Sequence, residues 1–236
     1  MKITGIELRR IAMPLVAPFR TSFGTETTRD ILLLRAVTPE AEGWAECVAM
    51  SAPLYSPEYV DGAAEILRRF LIPALADLQS AHSGGNGPDI HAVGRVLRPF
   101  RGHQMAKAAL ETALLDAQLR AAGQSLGGFL GAAVPAVPCG VSVGIMTSID
   151  ALLEDVAGYL EEGYRRIKLK IEPGWDLAPV RAVRERFGPD LALQVDANAA
   201  YTLADAPHLA KLDAHDLLLI EQPLADDDLV QHAQLA

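Results

Sequence analysis

Three charged clusters close three apolar runs in the second half of this chain. They are Lys168-Leu169-Lys170 in RRIKLKIEPGW, Asp196-Ala197-Asn198 in LALQVDAN and Glu221-Gln222-Pro223 in LLLIEQP. Lys170, Asp196 and Glu221 follow one another at intervals of about 25 positions, the length of one strand-plus-helix unit. Side chains at the same end of successive parallel strands converge on one site, which is where barrel enzymes keep their chemistry. Two carboxylates and two ammonium groups meeting there point to a divalent cation with a lysine base beside it.

A hard cation takes oxygen ligands and often only a few protein carboxylates, so Asp196 and Glu221 are candidate metal ligands from adjacent strands. Asn198 lies on the same rim and could assist by hydrogen bonding. Each carboxylate alone could equally be a solvated residue at a strand end; two at one register on consecutive strands weaken that reading. Lys168 and Lys170 stand at i and i+2, so they share one face of their strand, and the apolar Ile167, Leu169 and Ile171 share the other. If the lysine face is the barrel interior, the neighbouring positive charges favour a neutral amine and depress the lysine pKa, as a base requires. A solvent-facing edge strand with two surface lysines is the alternative.

The elements that must position these groups follow from pattern. From about Pro135 the chain alternates strand-like and helix-like segments: VPCGVSVGI, then Ile149 to Glu162 with Ser148 as N-cap; RRIKLKI, then Asp176 to Phe187; LALQVDA, then Leu203 to Leu212; and LLLIEQ, with a further helix from Asp226. Near-continuous apolar strands alternating with helices indicate a parallel sheet covered on its faces. Four such units make half of an eightfold barrel. An open doubly wound sheet also fits four strands, but gives no reason for a charge at successive strand ends. Two unpaired apolar edges would remain on a half barrel, a state natural sheets avoid, so more chain or a partner is expected to close it.

The first part reads differently. Ile3 to Met13 alternates, Ile31 to Val37 is an apolar run and Gly43 to Ala49 is a third short segment, together an antiparallel sheet. PFRTSFGTETTRD and MSAPLYSPEY read as loops, HSGGNGP (82–88) as a flexible connector, and roughly Pro57 to Leu78 and Asp89 to Leu97 as helices. Gln104 to Ala122 is the clearest helix, with a stripe of Met105, Ala108, Ala109, Thr112, Leu115 and Leu119, stopped by Gly123. The fold class is therefore α/β: an N-terminal α+β capping domain over 1–134 and a partial TIM-like barrel over 135–236.

The bulk numbers narrow the function. A net charge of −9 with no long basic run argues against nucleic acid, and no apolar run reaches the length of a membrane span. The first 20 residues lack a signal-peptide core, so a cytoplasmic protein is expected. Cys47 and Cys139 suit neither a disulfide framework nor a zinc site and read as plain buried thiols. The histidines carry no HExxH spacing, and Walker and GxGxxG motifs are absent from the sequence.

KLKIEPGWD, LALQVDANAAYTLADA and LLLIEQPLADDDL resemble the enolase superfamily in its muconate-lactonizing branch. Within that branch they are most similar to the o-succinylbenzoate synthase / N-acylamino acid racemase group. AKAALETALLDAQLRAAGQSL resembles the helix that leads into that family's barrel, and GWAECVAMSAPLYSPEY resembles its capping segment. The resemblance implies that Lys170 is the general base that removes a proton next to a carboxylate and that Lys168 tunes it. It implies that Asp196 and Glu221 are Mg²⁺ ligands, with Mn²⁺ an alternative ion. Phe19, Arg20, Ser22 and Phe23 in the first loop and Tyr55 in the second resemble the lid over the substrate, though each could be an ordinary surface-loop residue.

The implied activity is o-succinylbenzoate synthesis by syn-dehydration through an ene-diolate on the menaquinone pathway, with N-succinylamino acid racemase activity alongside. Dipeptide epimerases and muconate cycloisomerases share the paired lysines and stay open as alternatives. The implied partners are a small-molecule carboxylate and, at full length, further copies of the chain, with no nucleic acid and no membrane. The family's third metal ligand and second catalytic lysine lie beyond Ala236. A truncated fragment without turnover, or a subunit completed by another chain, is therefore the expectation from a different class.

Overall fold

A computed structural model describes residues 2–81 and 89–236. The connector expected at 82–88 lies outside the described residues. The chain divides into two compact units, one of Met1–Pro14 with Thr28–Pro135 and one of Leu15–Thr27 with Ala136–Ala236.

The first unit is built on strands β1 (Gly5–Thr21), β2 (Gly24–Val37) and β3 (Glu42–Cys47), in the order β1-β2-β3. β2 and β3 are antiparallel, with Leu32 opposite Cys47 and Val37 opposite Glu42. Leu32, Leu34 and Ala36 alternate into the core, as the period-2 geometry of a strand requires. The segment read from sequence as a polar loop, PFRTSFGTETTRD, is instead the far end of the β1–β2 hairpin, turning at Ser22 and Phe23. Its Thr, Phe and Arg side chains are tolerated on a two-stranded ribbon with little core to face, so polarity there did not signal a loop. Thr21 Oγ1 bonds the Gly24 carbonyl across the turn (3.3 Å).

Helices α1 (Val60–Ile66) and α2 (Ile72–Ala81) are joined by a π-helical turn at Leu67–Leu71. Pro73 lacks the N–H that would continue the α ladder, which accounts for the widened turn before it. Next come α3 (Ile90–Leu97), capped by Asp89, α4 (Gln104–Ala122) and the short α5 (Leu126–Leu130). α4 begins and ends where expected, and Gly123 closes it in the left-handed conformation (φ 63°). Its buried face is Ala106, Ala109, Leu110, Ala113, Leu114 and Ala117, whereas Ala108 and Thr112 of the expected stripe are exposed. The alanine face wins because α4 lies almost in contact with β3. A Cβ on Gly43 would fall 2.0 Å from the Ala113 carbonyl oxygen and 2.2 Å from the Ala117 nitrogen. The Glu58 carboxylate accepts the Met105 and Ala106 N–H groups and caps the start of α4.

In the second unit the strands β4 (Val141–Val143), β5 (Arg166–Lys170), β6 (Ala192–Asp196) and β7 (Ile220–Glu221) form one parallel sheet in sequence order. The helices α6 (Ile149–Glu161), α7 (Leu177–Phe187), α8 (Ala206–Leu209) and α9 (Leu229–Leu235) follow the strands. This is the β/α alternation of part of a barrel. Ile167, Leu169 and Ile171 are buried with Val156, Val180 and Val183 of the helices, so the apolar face of β5 meets the outer layer as expected. Ser148 caps α6 by accepting the Ala151 N–H (3.1 Å). The helix expected over Leu203 to Leu212 is broken into 3₁₀ turns at Leu203–Asp205 and Ala210–His215 around α8, because Pro207 sits inside it and Thr202 and Asp205 form a capping box just before it. Cys47 is buried, and burial pushes its thiol pKa up, but Cys139 is exposed because the strand starts only at Val141.

Candidate functional site

The parallel register sets the rows of side chains. Lys170, Asp196 and Glu221 are lateral partners at the C-terminal ends of β5, β6 and β7; one step below, Ser142, Lys168 and Gln194 form the next inward row. In-register residues of parallel strands share a face, so both rows look to the inner side of the sheet. The four charged residues form one cluster. Lys170 Nζ donates to Asp196 Oδ2 at 2.6 Å, Lys168 Nζ lies 3.1 Å from the same oxygen, and Lys168 Nζ donates to Glu221 Oε2 at 3.0 Å. Lys170 is 8% exposed and Asp196 1%, so the pair is withdrawn from water, where a charge is costly unless partnered.

Electrostatics follow from this packing. Burial works against the Asp196 carboxylate, but the Lys170 ammonium, the Asn198 N–H and Lys168 more than offset it and hold the carboxyl below its ordinary range. Burial likewise works against the Lys168 ammonium, while Glu221 and Asp196 more than offset it and raise its pKa. The mutual depression expected of two neighbouring lysines is therefore reversed at Lys168, because each ammonium sits against a carboxylate rather than against the other lysine.

Asn198 joins the cluster through both ends of its side chain. Its Oδ1 accepts from Lys170 Nζ (2.7 Å), its Nδ2 donates to Gln222 Oε1 (3.4 Å), and its backbone N–H donates to Asp196 Oδ1 (3.0 Å). Asn198, Ala199 and Gln222 all have left-handed backbones (φ 45°, 62° and 43°), a costly conformation for non-glycine residues that gathers at functional sites.

Of the residues read as a lid, those of the hairpin tip cluster with the second unit. Ser22 Oγ donates to the carbonyls of Ala197 (3.0 Å) and Asn198 (3.4 Å), directly behind the charged cluster. Arg20 Nη2 pairs with Glu172 Oε1 at 2.8 Å, and the Arg20 carbonyl accepts the Ile145 N–H (2.9 Å). Gly144 makes room for this: a Cβ there would lie 3.1 Å from the Arg20 carbonyl oxygen. Phe19 approaches the same glycine with its ring, and Phe23 occupies the turn. Tyr55 belongs to the first unit, in the irregular segment between β3 and α1, with its ring exposed.

Two groups at the site were not singled out from the sequence, although Ser142 centres a Gly-x-Ser-x-Gly run, Gly140 to Gly144, that lies on β4 rather than at a strand-to-helix elbow. Ser142 Oγ is buried and has no hydrogen-bond partner among the described residues, although it stands in register beside Lys168. Asp176, buried behind the loops that follow β5 and β6, accepts from Leu177 N (2.6 Å) and Tyr201 Oη (2.9 Å) and lies 2.8 Å from His208 Nε2.

Among the described residues no three His, Cys, Asp or Glu side chains gather in a way that could hold a metal ion. Asp196 and Glu221 supply two carboxylates side by side, an oxygen donor set of the kind Mg²⁺ or Mn²⁺ takes with water completing the shell. The residues present fit such an ion as part of a shell.

Residues 4–131 match the family model described as mandelate racemase / muconate lactonizing enzyme, N-terminal domain, and residues 151–236 the one described as enolase C-terminal domain-like. The chain is 61% identical to an N-succinylamino acid racemase of Amycolatopsis sp, over all of this chain and 62% of that protein. It is 44% identical to an o-succinylbenzoate synthase of Geobacillus kaustophilus, over all of this chain and 61% of that protein. A solved structure of a probable mandelate racemase from Alicyclobacillus acidocaldarius superposes with a TM-score of 0.88 at 41% identity, covering 98% of this chain and 60% of that one. The chain thus spans about three fifths of the length of these relatives. No helix among the described residues is long and apolar enough to cross a membrane.

Proposed function

This chain belongs to the enolase superfamily, and on that premise we propose that it carries the proton-abstracting half of an enzyme acting on a small carboxylate that bears a succinyl group. The reaction is the dehydration that yields o-succinylbenzoate, a step of menaquinone synthesis, with Lys170 as the base. The observation that carries this reading is the row Lys170–Asp196–Glu221 across three adjacent parallel strand ends, with Lys170 Nζ 2.6 Å from Asp196 Oδ2.

The α-proton of a carboxylate is far too weakly acidic for an amine alone, so the developing charge on the carboxylate must be met. Asp196 and Glu221 would hold Mg²⁺ or Mn²⁺. Bound to those oxygens, the ion would supply positive charge to the substrate carboxylate and would draw Asp196 away from the Lys170 ammonium, favouring the neutral amine a base needs. Lys170 accepts the α-proton, the β-carbon–oxygen bond breaks as the carbon–carbon double bond forms, and the departing hydroxide takes a proton and leaves as water. Lys168, one row below on the same face, presents its ammonium to the developing negative charge. Asn198 orients Lys170 through its carbonyl oxygen.

Racemisation of N-succinylamino acids is the second reading, favoured by the 61% identity to a relative named for it. It shares the abstraction step and requires a second acid on the opposite face of the substrate, supplied from outside these residues. The test offers the protein, at the length its host makes, the dehydration substrate and an N-succinylamino acid with an apolar side chain. Formation of o-succinylbenzoate with Mg²⁺ supports the first reading and interconversion of enantiomers the second. Turnover of neither overturns both. Glu221→Gln is expected to raise the Mg²⁺ concentration needed for half-activation by at least about tenfold; an unchanged requirement removes Glu221 from the ligand set.

A further inference from the structure

We propose that Asp176 and Tyr201 form a latch, outside the charged cluster, that positions Lys170 by holding the loop after β6 in its strained shape. The consequence for turnover rests on Lys170 being the base; the structural half does not.

The loop begins at Ala197, directly after the buried Asp196, and passes through two successive non-glycine residues in the left-handed region, Asn198 (φ 45°) and Ala199 (φ 62°). Such a pair persists only where the surroundings over-determine it. Four backbone bonds do part of this. Ala197 N donates to the Glu221 carbonyl (3.0 Å), Ala199 N to Gln222 (2.7 Å), Ala200 N to Ala197 (3.1 Å) and Tyr201 N to Pro223 (3.1 Å). Three of them tie the loop to the end of β7 and the residues after it, and the Ala200 bond closes a turn within the loop.

The side toward β5 is tied by a side chain. The Tyr201 ring is 4% exposed, and its hydroxyl donates to Asp176 Oδ2, on the loop that leads from Lys170 into α7. Asp176 is 5% exposed; its Oδ1 takes the Leu177 N–H, and its Oδ2 takes Tyr201 and faces His208. Burial raises the Asp176 carboxyl, and the Leu177 N–H, His208 and Tyr201 more than offset it, leaving a carboxylate below its ordinary pKa; burial and that carboxylate push Tyr201 up. The bond thus joins a lasting anion to a lasting O–H donor.

The loops after β5 and β6 are therefore clamped twice: inside by Lys170 on Asp196 and Asn198, and outside by Tyr201 on Asp176. Releasing the outer clamp leaves the loop on its bonds to β7, Ser22 and Asp196, and loosens the Asn198 side-chain oxygen 2.7 Å from Lys170 Nζ. A latch of this kind sets where the amine points, and so acts on the chemical step more than on substrate binding.

The test is Tyr201→Phe, which keeps the ring and removes the hydroxyl, with Asp176→Asn as the second variant. The first readout needs no substrate: the rate of reductive methylation of Lys170 relative to the exposed Lys211, followed by peptide mass spectrometry. In Tyr201→Phe the ratio is expected to rise about tenfold, with far-ultraviolet circular dichroism unchanged. Asp176→Asn, which keeps an acceptor for the hydroxyl, is expected to show a smaller rise. The second readout is kcat and KM for α-proton exchange in the protein at native length, where kcat falls about tenfold and KM stays within about twofold. An unchanged Lys170-to-Lys211 ratio in both folded variants overturns the latch. Absence of exchange in the unaltered protein overturns the functional reading instead, and the methylation ratio still decides the latch.

Discussion

The two units differ in where they keep charge. In the first, the ion pairs lie on the surface: Arg10 with Asp30 and Asp61, Arg35 with Glu7 and Glu42, Arg69 with Glu65, Arg120 with Asp116. Its interior is mostly leucine, alanine and valine, and among its described residues Lys107 is the buried charged one, its ammonium donating to the Phe100 carbonyl. In the second, Lys170, Asp176 and Asp196 are all buried, and the pairs they make are among the tightest there. Solvated pairs contribute little to stability, and buried ones cost desolvation that hydrophobic residues of similar size would avoid. Charge retained inside the second unit is thus better explained by chemistry than by stability, while the first unit is organised by close packing.

Four stability measurements sharpen or break that contrast. Asp196→Ala leaves two lysines around one remaining carboxylate and is expected to cost about 3 kcal/mol in urea denaturation at neutral pH. A loss as small as that of a surface pair would mean the cluster is solvated. Gly43→Ala forces a Cβ into the α4 backbone and is expected to cost about 2 kcal/mol. A neutral result would contradict the near-contact of α4 and β3.

A smaller effect, roughly 1 kcal/mol, is expected of Asp176 through pH. Its folded pKa lies below the ordinary 3.8, so its contribution is present above that value and is lost as pH falls through the folded pKa. Asp176→Asn should flatten this part of the acid limb, and an identical limb in both proteins would remove Asp176 as its source. Arg69→Ala, which breaks an exposed i,i+4 pair, should change stability by about 0.5 kcal/mol or less. A larger loss would erase the distinction between the two units.

Much of the charged row was legible because Lys170, Asp196 and Glu221 each end an apolar run, and the repeat length brings such ends together. Asn198 was legible as a rim residue, but its double link to Lys170 and Gln222 was not, since it depends on left-handed backbone at positions that are not glycine. Asp176 looked only like the start of a helix; its bonds to Tyr201 and His208 cross 25 and 32 positions and follow no local pattern. Ser142 stands between two glycines in a Gly-x-Ser-x-Gly run, but its place in the middle of a strand and its lack of a partner among the described residues show only in the structure. The alanine face of α4 was hidden because small residues score weakly as core until a glycine lets two backbones approach. The break at Pro207 was available in the sequence and was outweighed by the leucines around it.

The central claim, that Lys170 is a base aimed by its neighbours, is tested most directly by exchange of the substrate α-proton into deuterated water. An N-succinylamino acid is incubated with the native-length protein and Mg²⁺ and followed by proton nuclear magnetic resonance. Exchange by the unaltered protein, and a loss of about 10²–10⁴-fold in Lys170→Ala with Mg²⁺ binding still measurable, is the predicted result. Exchange at an undiminished rate in Lys170→Ala would contradict it.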